Sequence, residues 1–184
     1  EGALAVHHAA VCTLSWDTPA AWMSAASVAY TVKVLSEKRA REAEAGRAQG
    51  RLLAAASLGE LDVIAELAAA ATSLEATDGE GLTPLLLSVL RRQEGALALL
   101  INTGASTDAR DRHGNSALHL AALSGFSSAV RRLLKADTRL CEALNANGAM
   151  PLHLASFGGH APVVEQLLSS RAAVSAVDAR GSTA

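Results

Sequence analysis

The stretch Gly114-Asn115-Ser116-Ala117-Leu118-His119-Leu120-Ala121-Ala122 returns downstream as Gly148-Ala149-Met150-Pro151-Leu152-His153-Leu154-Ala155-Ser156, and upstream in shortened form as Gly81-Leu82-Thr83-Pro84-Leu85. The leucine after Pro or Ala stands at 85, 118 and 152, at intervals of 33 and 34 residues. Gly181-Ser182-Thr183-Ala184 opens another copy 33 residues after Gly148. A step of 33 back from Leu85 lands on Leu52, at the head of Leu52-Leu53-Ala54-Ala55-Ala56-Ser57-Leu58-Gly59. A period of this length means one small helical unit laid down repeatedly, each burying its apolar side on the next.

Each unit carries a second apolar pattern. Val63-Ile64 with Leu67, Leu97 with Leu99-Leu100, Val130 with Leu133-Leu134, and Val163-Val164 with Leu167-Leu168 have the i, i+3, i+4 spacing of one helical face. Thr83, Ser116 and Thr183 stand where a hydroxyl can accept a backbone N–H at a helix start. Pro84 and Pro151 take the first helical position, where a missing N–H is harmless. After the second pattern comes a turn-prone stretch such as Asn102-Thr103-Gly104-Ala105, then Asp78, Asp111, Asn145 or Asp178. The unit therefore reads helix, short turn, helix, hairpin-like loop. Met150 brings no capping oxygen, so its helix start is expected to be weaker by about 1 kcal/mol.

Residue type and period together resemble the ankyrin repeat family. Its Gly-x-Thr-Pro-Leu-His-x-Ala-Ala opening, Gly-His turn and Val-Val-x-x-Leu-Leu second helix are matched most fully at Leu118–Ala122 with Gly125, and at Pro151–Ala155 with Gly159-His160. The resemblance covers about 45–184. It implies an all-α ankyrin-repeat solenoid with units at 45–77, 78–110, 111–144 and 145–177 and the start of another at 178–184, preceded by a helical extension over 1–44. Departures stand beside the matches: Leu86 for His, Ser88-Val89 for Ala-Ala, Arg92 for Gly, and Gly50-Arg51 where the first unit should have Thr-Pro. Asp137 and Arg171 occupy the glycine place before the loop. A left-handed backbone there would cost a non-glycine residue about 1–2 kcal/mol, and Asp less. One extra residue lies within 137–144, which leads us to expect Cys141 in an exposed loop.

Composition agrees. Half of the 184 residues are hydrophobic but only 3% are aromatic, the balance of closely packed helices and not of a β-sandwich. A net charge of −2 gives no general attraction to nucleic acid. Two cysteines, Cys12 and Cys141, make neither a disulfide framework nor a four-ligand zinc site. The chain begins at Glu1 and stops at Ala184, which reads as a piece of a longer protein. The apolar side of Val163, Val164, Leu167 and Leu168 leads us to expect at least one more repeat.

No repeat register extends upstream of about residue 45. Positions 20–45 read as a helix with Pro19 near its start and Gly46 near its end. Trp22, Ala25, Ala26, Ala29, Val32 and Leu35 are spaced for one apolar face, expected to pack on the first repeat. Six bases (Lys33, Lys38, Arg39, Arg41, Arg47, Arg51) against Glu37, Glu42 and Glu44 leave a local charge of +3. A solvated, ion-paired helix end is the simpler reading; an amphipathic helix for a membrane surface or partner is the other. The uncharged runs 2–16 and 18–32 are 15 residues each, short of the roughly 20 a membrane span needs.

No catalytic site, metal site or cofactor is expected. His119 and His153 recur because they share one repeat position, and neighbouring helices about 8–10 Å apart cannot bring both to one zinc. They read as members of the helix-start hydrogen-bond network, His160 as the turn residue, and His7-His8 as a poor chelating pair. No nucleophile elbow, phosphate loop or kinase signature occurs.

The resemblance implies a protein–protein interaction module that binds through loop tips and the concave ends of its first helices. Carried onto this sequence, the tips are Gly79, Glu80 and Leu82; Arg112, His113 and Asn115; Ala146, Asn147 and Ala149; Ala179, Arg180 and Ser182. The helix ends are Leu90 and Arg91, Leu123 and Ser124, Phe157 and Gly158. Residues 52–80 hold six acids and no Lys or Arg, whereas 81–184 hold ten bases and seven acids. With Arg110, Arg112 and Arg180 on the tip side, two readings stand: scattered Arg that simply keeps an exposed loop row soluble, which is the simpler one, or an acidic protein or peptide docking around Arg91, Arg112 and Phe157 over a Leu123 floor. The alternatives are a recruiting segment of a larger enzyme, channel or ubiquitin-ligase adaptor, or a membrane-tethered ankyrin protein. An intracellular, cytoplasmic setting and a monomeric array within a longer chain complete the expectation.

Overall fold

Alanine, leucine and the straight-chain charged residues between 19 and 58 are strong helix formers, and they form a single helix, α1 (Pro19–Leu58). The computed structural model describes residues 2–4, 12–14, 19–70 and 72–184, with side chains from 33 onward, and divides into two compact units, Glu1–Gly46 and Arg47–Ala184. The expected helix end near Gly46 is absent. A glycine in an exposed helix interior costs about 1 kcal/mol, too little at Gly46 or Gly50 to break a run of good formers.

In the first unit, β1 (Gly2–Leu4) and β2 (Cys12–Leu14) pair antiparallel, Gly2 opposite Leu14 and Leu4 opposite Cys12. Three-residue strands are too short for a period of two to show in a sequence. From 33 to 46 the side chains of α1 are exposed, Leu35 included, and Lys38 reaches Glu42 at 3.8 Å. The side chains of the proposed apolar face from Trp22 to Val32, and the His7-His8 pair, lie outside the described residues.

The second unit is the repeat array. Leu52, Ala55 and Ala56 in the last turns of α1 share the buried core with Ile64 and Leu67 of α2 (Leu61–Ala69), and Arg51 reaches Glu66 at 3.8 Å; α3 (Pro84–Leu90) pairs with α4 (Glu94–Asn102), α5 (Ala117–Leu123) with α6 (Ser127–Ala136), and α7 (Pro151–Phe157) with α8 (Ala161–Ser169). First helices stack in one row (α3 on α5, α5 on α7), and second helices in another (α2, α4, α6, α8). Leu52, Leu85, Leu118 and Leu152 are all 0–1% exposed, so the positions that fixed the period form one continuous core row. Ala55-Ala56, Ala121-Ala122 and Ala155 are fully buried beside them, where larger side chains would hold the helices apart. Ile64, Leu67, Leu97, Leu100, Val130, Leu133, Val163 and Leu167 fill the other side. Among the described residues, no helix is long and apolar enough to cross a membrane.

At Thr83 the cap follows the sequence, Oγ1 accepting from the Leu86 N–H at 3.4 Å with Pro84 next in line, whereas the Ser116 hydroxyl lies 2.8 Å from His119 Nδ1 instead of capping a backbone N–H. Thr183 lies in irregular backbone with no helix to cap among the described residues. Arg171 is left-handed, with φ 65°, and so is Arg92, with φ 57°. Asp137 is not. It is extended, with φ −150°, and its Oδ1 accepts from the Arg139 N–H at 2.9 Å to start a 3-10 turn over Thr138–Glu142. That turn absorbs the extra residue and drives Leu140 and Cys141 inward. Cys141 is therefore buried, not exposed, and burial pushes its thiol pKa up, away from the reactive thiolate.

Candidate interaction surface

The acid or amide at the head of each loop has a mechanical role. Asp78 Oδ1 accepts from the N–H groups of Glu80 and Leu82, Asp111 Oδ1 from His113 and Asn115, Asn145 Oδ1 from Asn147 and Ala149, and Asp178 Oδ1 from Arg180 and Ser182, all at 2.8–3.0 Å. These bonds, the Ser182 N–H first, hold the Asp178 carboxyl below the usual carboxylate range. Four tips thus have one shape. Main chain then ties each to the next: Arg112 N–H to Glu80 O at 3.3 Å, Ala146 N–H to His113 O at 3.0 Å, and Ala179 N–H to Asn147 O at 3.0 Å.

A second set of ties starts from the histidines. His119 Nδ1 accepts from the Ser116 N–H at 3.2 Å, which places its proton on Nε2, and Nε2 donates to Ala149 O of the next loop at 3.0 Å. His153 repeats this, accepting from the Met150 N–H and donating to Ala176 O at 3.1 Å. The helix-start network of the sequence reading is present, and the bond onward to the next loop is what that reading missed. His119 is fully buried, and burial pushes its pKa down to about 4. His160 Nε2 likewise donates to Leu123 O at 3.0 Å. Where the 78–110 repeat has Arg92 in place of glycine, the guanidinium donates to Ser124 O at 2.9 Å and lies 4.9 Å from the centre of the Phe126 ring.

Against this frame the proposed contact residues separate into braces and free groups. Arg110 donates to Gly114 O at 2.9 Å and Leu144 O at 2.7 Å, and so spans two loops. Asn115 donates to Asp111 Oδ2 and accepts from Asn145 Nδ2, an amide ladder within the loops. Leu82 is half-buried against the core. Arg112 pairs with Glu80 and donates to His113 Nε2, so those three tip groups form one exposed cluster with its charge partly cancelled. Asn147 and Arg180 project from their tips, exposed.

The helix-end row is different in kind. Leu90, Leu123 and Phe157 occupy equivalent places on α3, α5 and α7 and are 49%, 42% and 85% exposed. One turn back on the same helices, Leu87 is buried and Leu120 and Leu154 are half-buried. Large apolar side chains left in water at one position of three stacked units make a continuous strip, with the exposed Arg91 beside it. Among the described residues, no group of His, Cys, Asp and Glu is arranged to hold a metal ion.

Comparison with known proteins agrees with this geometry. The model of three tandem ankyrin repeats matches 52–142 and the single-repeat model matches 147–179, together about two thirds of the chain. Human neurogenic locus notch homolog protein 2 is 45% identical over 64 residues, 35% of this chain and 3% of that protein. The nuclear factor NF-kappa-B p105 subunit of Gallus gallus is 45% identical over 53 residues, 29% of this chain and 5% of that protein. The E3 ubiquitin-protein ligase XB3 of Oryza sativa subsp. japonica is 38% identical over 88 residues, 47% of this chain and 20% of that protein. The chain thus spans at most a fifth of these relatives. With the period, the stacked helix pairs and the recurring loop bonds in agreement, the chain belongs to the ankyrin-repeat family, whose arrays are protein-interaction modules.

Proposed function

We propose that the array binds a partner protein along the strip of Leu90, Leu123 and Phe157, with the tip side chains of Glu80, Arg112, His113, Asn147 and Arg180 reading the partner's flank. The observation that carries this is the exposure of three large apolar side chains at one repeat position, with Phe157 at 85%. Desolvated aromatic and aliphatic anchors supply most of the affinity at such surfaces, and the charged rim tunes rate and specificity.

An acidic partner segment fits the excess of bases over 81–184. The burden falls on Arg91 and Arg180, because Arg112 is paired with Glu80 and Arg110 is held by loop carbonyls. Leu82 and Asn115 support the surface from within. The array has no catalytic role in this reading and takes neither nucleic acid nor cofactor. It serves as a monomeric recruiting segment of a longer cytoplasmic protein, and a free, buried Cys141 suits a reducing compartment. The domain scheme of an extension over 1–44 ahead of the array over 45–184 belongs to the same reading.

The test is affinity capture with the chain and with Leu123→Ser/Phe157→Ser, both checked for unchanged helicity. A partner retained by the first and weakened at least about tenfold by the second supports the strip. Equal retention refutes it. Arg91→Glu should weaken binding more than Arg112→Glu; the reverse order would remove the acidic-segment reading and leave the strip.

A further inference from the structure

Asn147-Gly148 is the only Asn-Gly pair in the sequence of 184 residues. An asparagine amide carbon can close a five-membered ring with the main-chain nitrogen of the next residue, and glycine, with no Cβ, leaves that nitrogen open to it. The other asparagines of the array are held back. Asn115 Nδ2 donates to Asp111 Oδ2 at 3.0 Å and Asn145 Nδ2 donates to Asn115 Oδ1 at 2.9 Å, so both side chains are engaged. Asn102 ends α4, and the nitrogen after it belongs to the branched Thr103 and donates to Leu99 O at 2.9 Å. Asn147 is exposed at its tip, and among the described residues its side-chain amide makes no hydrogen bond. Its own N–H donates to Asn145 Oδ1 at 2.9 Å, and the Gly148 N–H to Asn145 O at 2.9 Å. Bonds at such a loop tip open locally, without unfolding the array.

We infer that Asn147 is a modification site, where the chain deamidates spontaneously and in doing so unties the tip that follows. When the tip opens, the Gly148 nitrogen bonds to Asn147 Cγ and passes its proton through water to the departing amide. The Cγ–Nδ2 bond breaks and ammonia leaves. Water then opens the succinimide ring at one of its two carbonyl carbons. Attack at Cγ breaks the Cγ–N bond and leaves an ordinary aspartate. Attack at the main-chain carbonyl carbon breaks its bond to nitrogen and leaves isoaspartate, with the chain routed through Cγ. Either product replaces a neutral amide by a carboxylate at the tip. The isoaspartate does more. The Asn147 main-chain O accepts from the Ala179 N–H at 3.0 Å, which ties this tip to the next. In isoaspartate that oxygen belongs to a pendant carboxylate, and the chain toward Gly148 is one methylene longer. There is no slack to absorb it, since even a Cβ on Gly148 would lie 3.2 Å from the Ala179 nitrogen. The loop of residues 178–182 is then released from its neighbour. The site is a property of the loop and holds whether or not the Leu90, Leu123 and Phe157 strip takes a partner.

The test incubates the full chain at neutral and mildly alkaline pH and follows it by peptide mass mapping, with isoaspartate read by enzymatic methylation of its free carboxylate. Conversion should fall first on Asn147 and rise with pH. It should run slower than in a free peptide of residues 145–150 by the factor that the fold slows hydrogen exchange at the Gly148 amide, since both need the same opening. Asn145→Ala removes the acceptor of the Asn147 and Ala149 N–H groups and should speed conversion about five- to thirtyfold. Asn147→Gln, which would need a six-membered ring, should stop it over the same period. In the isoaspartate form, exchange at the Ala179 amide should quicken. In Asn147→Asp, with the charge but not the longer chain, it should keep its original rate. Circular dichroism checks that each variant keeps its helicity. Conversion at Asn102 or Asn115 ahead of Asn147, a rate in Asn145→Ala no faster than in the parent chain, or undiminished Ala179 protection in the isoaspartate form would overturn the proposal.

Discussion

Replacing Gly114 by alanine tests how the loops are joined. Gly114 has φ +73°, and a Cβ there would sit 2.8 Å from the Ala146 nitrogen and 3.3 Å from the Asn145 carbonyl carbon. Both are main-chain atoms of the neighbouring loop, and that nitrogen donates the 3.0 Å bond to His113 O. They cannot rotate away as a side chain would. Gly104 is the control, with φ +90° and nothing within 4 Å of its notional Cβ. Both substitutions carry the left-handed penalty of about 1–2 kcal/mol. Only Gly114→Ala adds the overpacking term of about 1–3 kcal/mol, for a total of about 2–5 kcal/mol. Urea unfolding followed by helical circular dichroism would separate them by about 1 M in midpoint, given a slope of about 2 kcal/mol/M. Hydrogen exchange at the Ala146 amide should quicken in Gly114→Ala alone. If the two variants lose the same stability within about 0.5 kcal/mol, the loops are not locked tip to tip and this account of the array is wrong.

Stability should fall with acid through His119. Its folded pKa of about 4 lies below the unfolded value near 6.5, so the unfolded chain binds more protons as pH drops below that value. About 2 kcal/mol should be lost between about pH 7 and about pH 5, and a His119→Gln variant should show a flatter profile in the same titration. Arg171→Gly should gain about 1 kcal/mol by relieving a φ of 65°, read as a higher melting temperature. Arg92→Gly should come out near neutral, because the relief is offset by loss of the Ser124 hydrogen bond and the Phe126 ring contact. Met150→Thr should raise stability by about 1 kcal/mol by supplying the missing capping oxygen. A neutral result would mean that the His153 bond to the Met150 N–H already suffices at that helix start.

What the sequence makes legible is what repeats. Leu52, Leu85, Leu118 and Leu152 announce their row because identical surroundings select identical residues. The Asp or Asn at the head of each loop and the Thr83 cap are visible for the same reason. Non-periodic details are hidden. Nothing at Asp137 distinguishes an extended residue from a left-handed one, and the 3-10 turn that buries Cys141 depends on how Leu140 finds the core. Gly46 looked like a helix end because glycine often is one, yet its penalty is smaller than the combined preference of its neighbours. Of the candidate surface, the positions could be read off by register, but not their employment. That Arg110 braces two loops while the Arg91 side chain has no ion-pair or hydrogen-bond partner among the described residues depends on distances across units, which no single-chain pattern encodes.

The main-chain bonds from Glu80 to Arg112, His113 to Ala146 and Asn147 to Ala179 use no side-chain atom. The outward groups at those tips can therefore be exchanged while the scaffold keeps its shape. Preference for a binding partner and resistance to unfolding are then inherited through different residues. A lineage could rewrite whom this surface recognises by drifting at a handful of loop codons without first acquiring compensating changes in the interior.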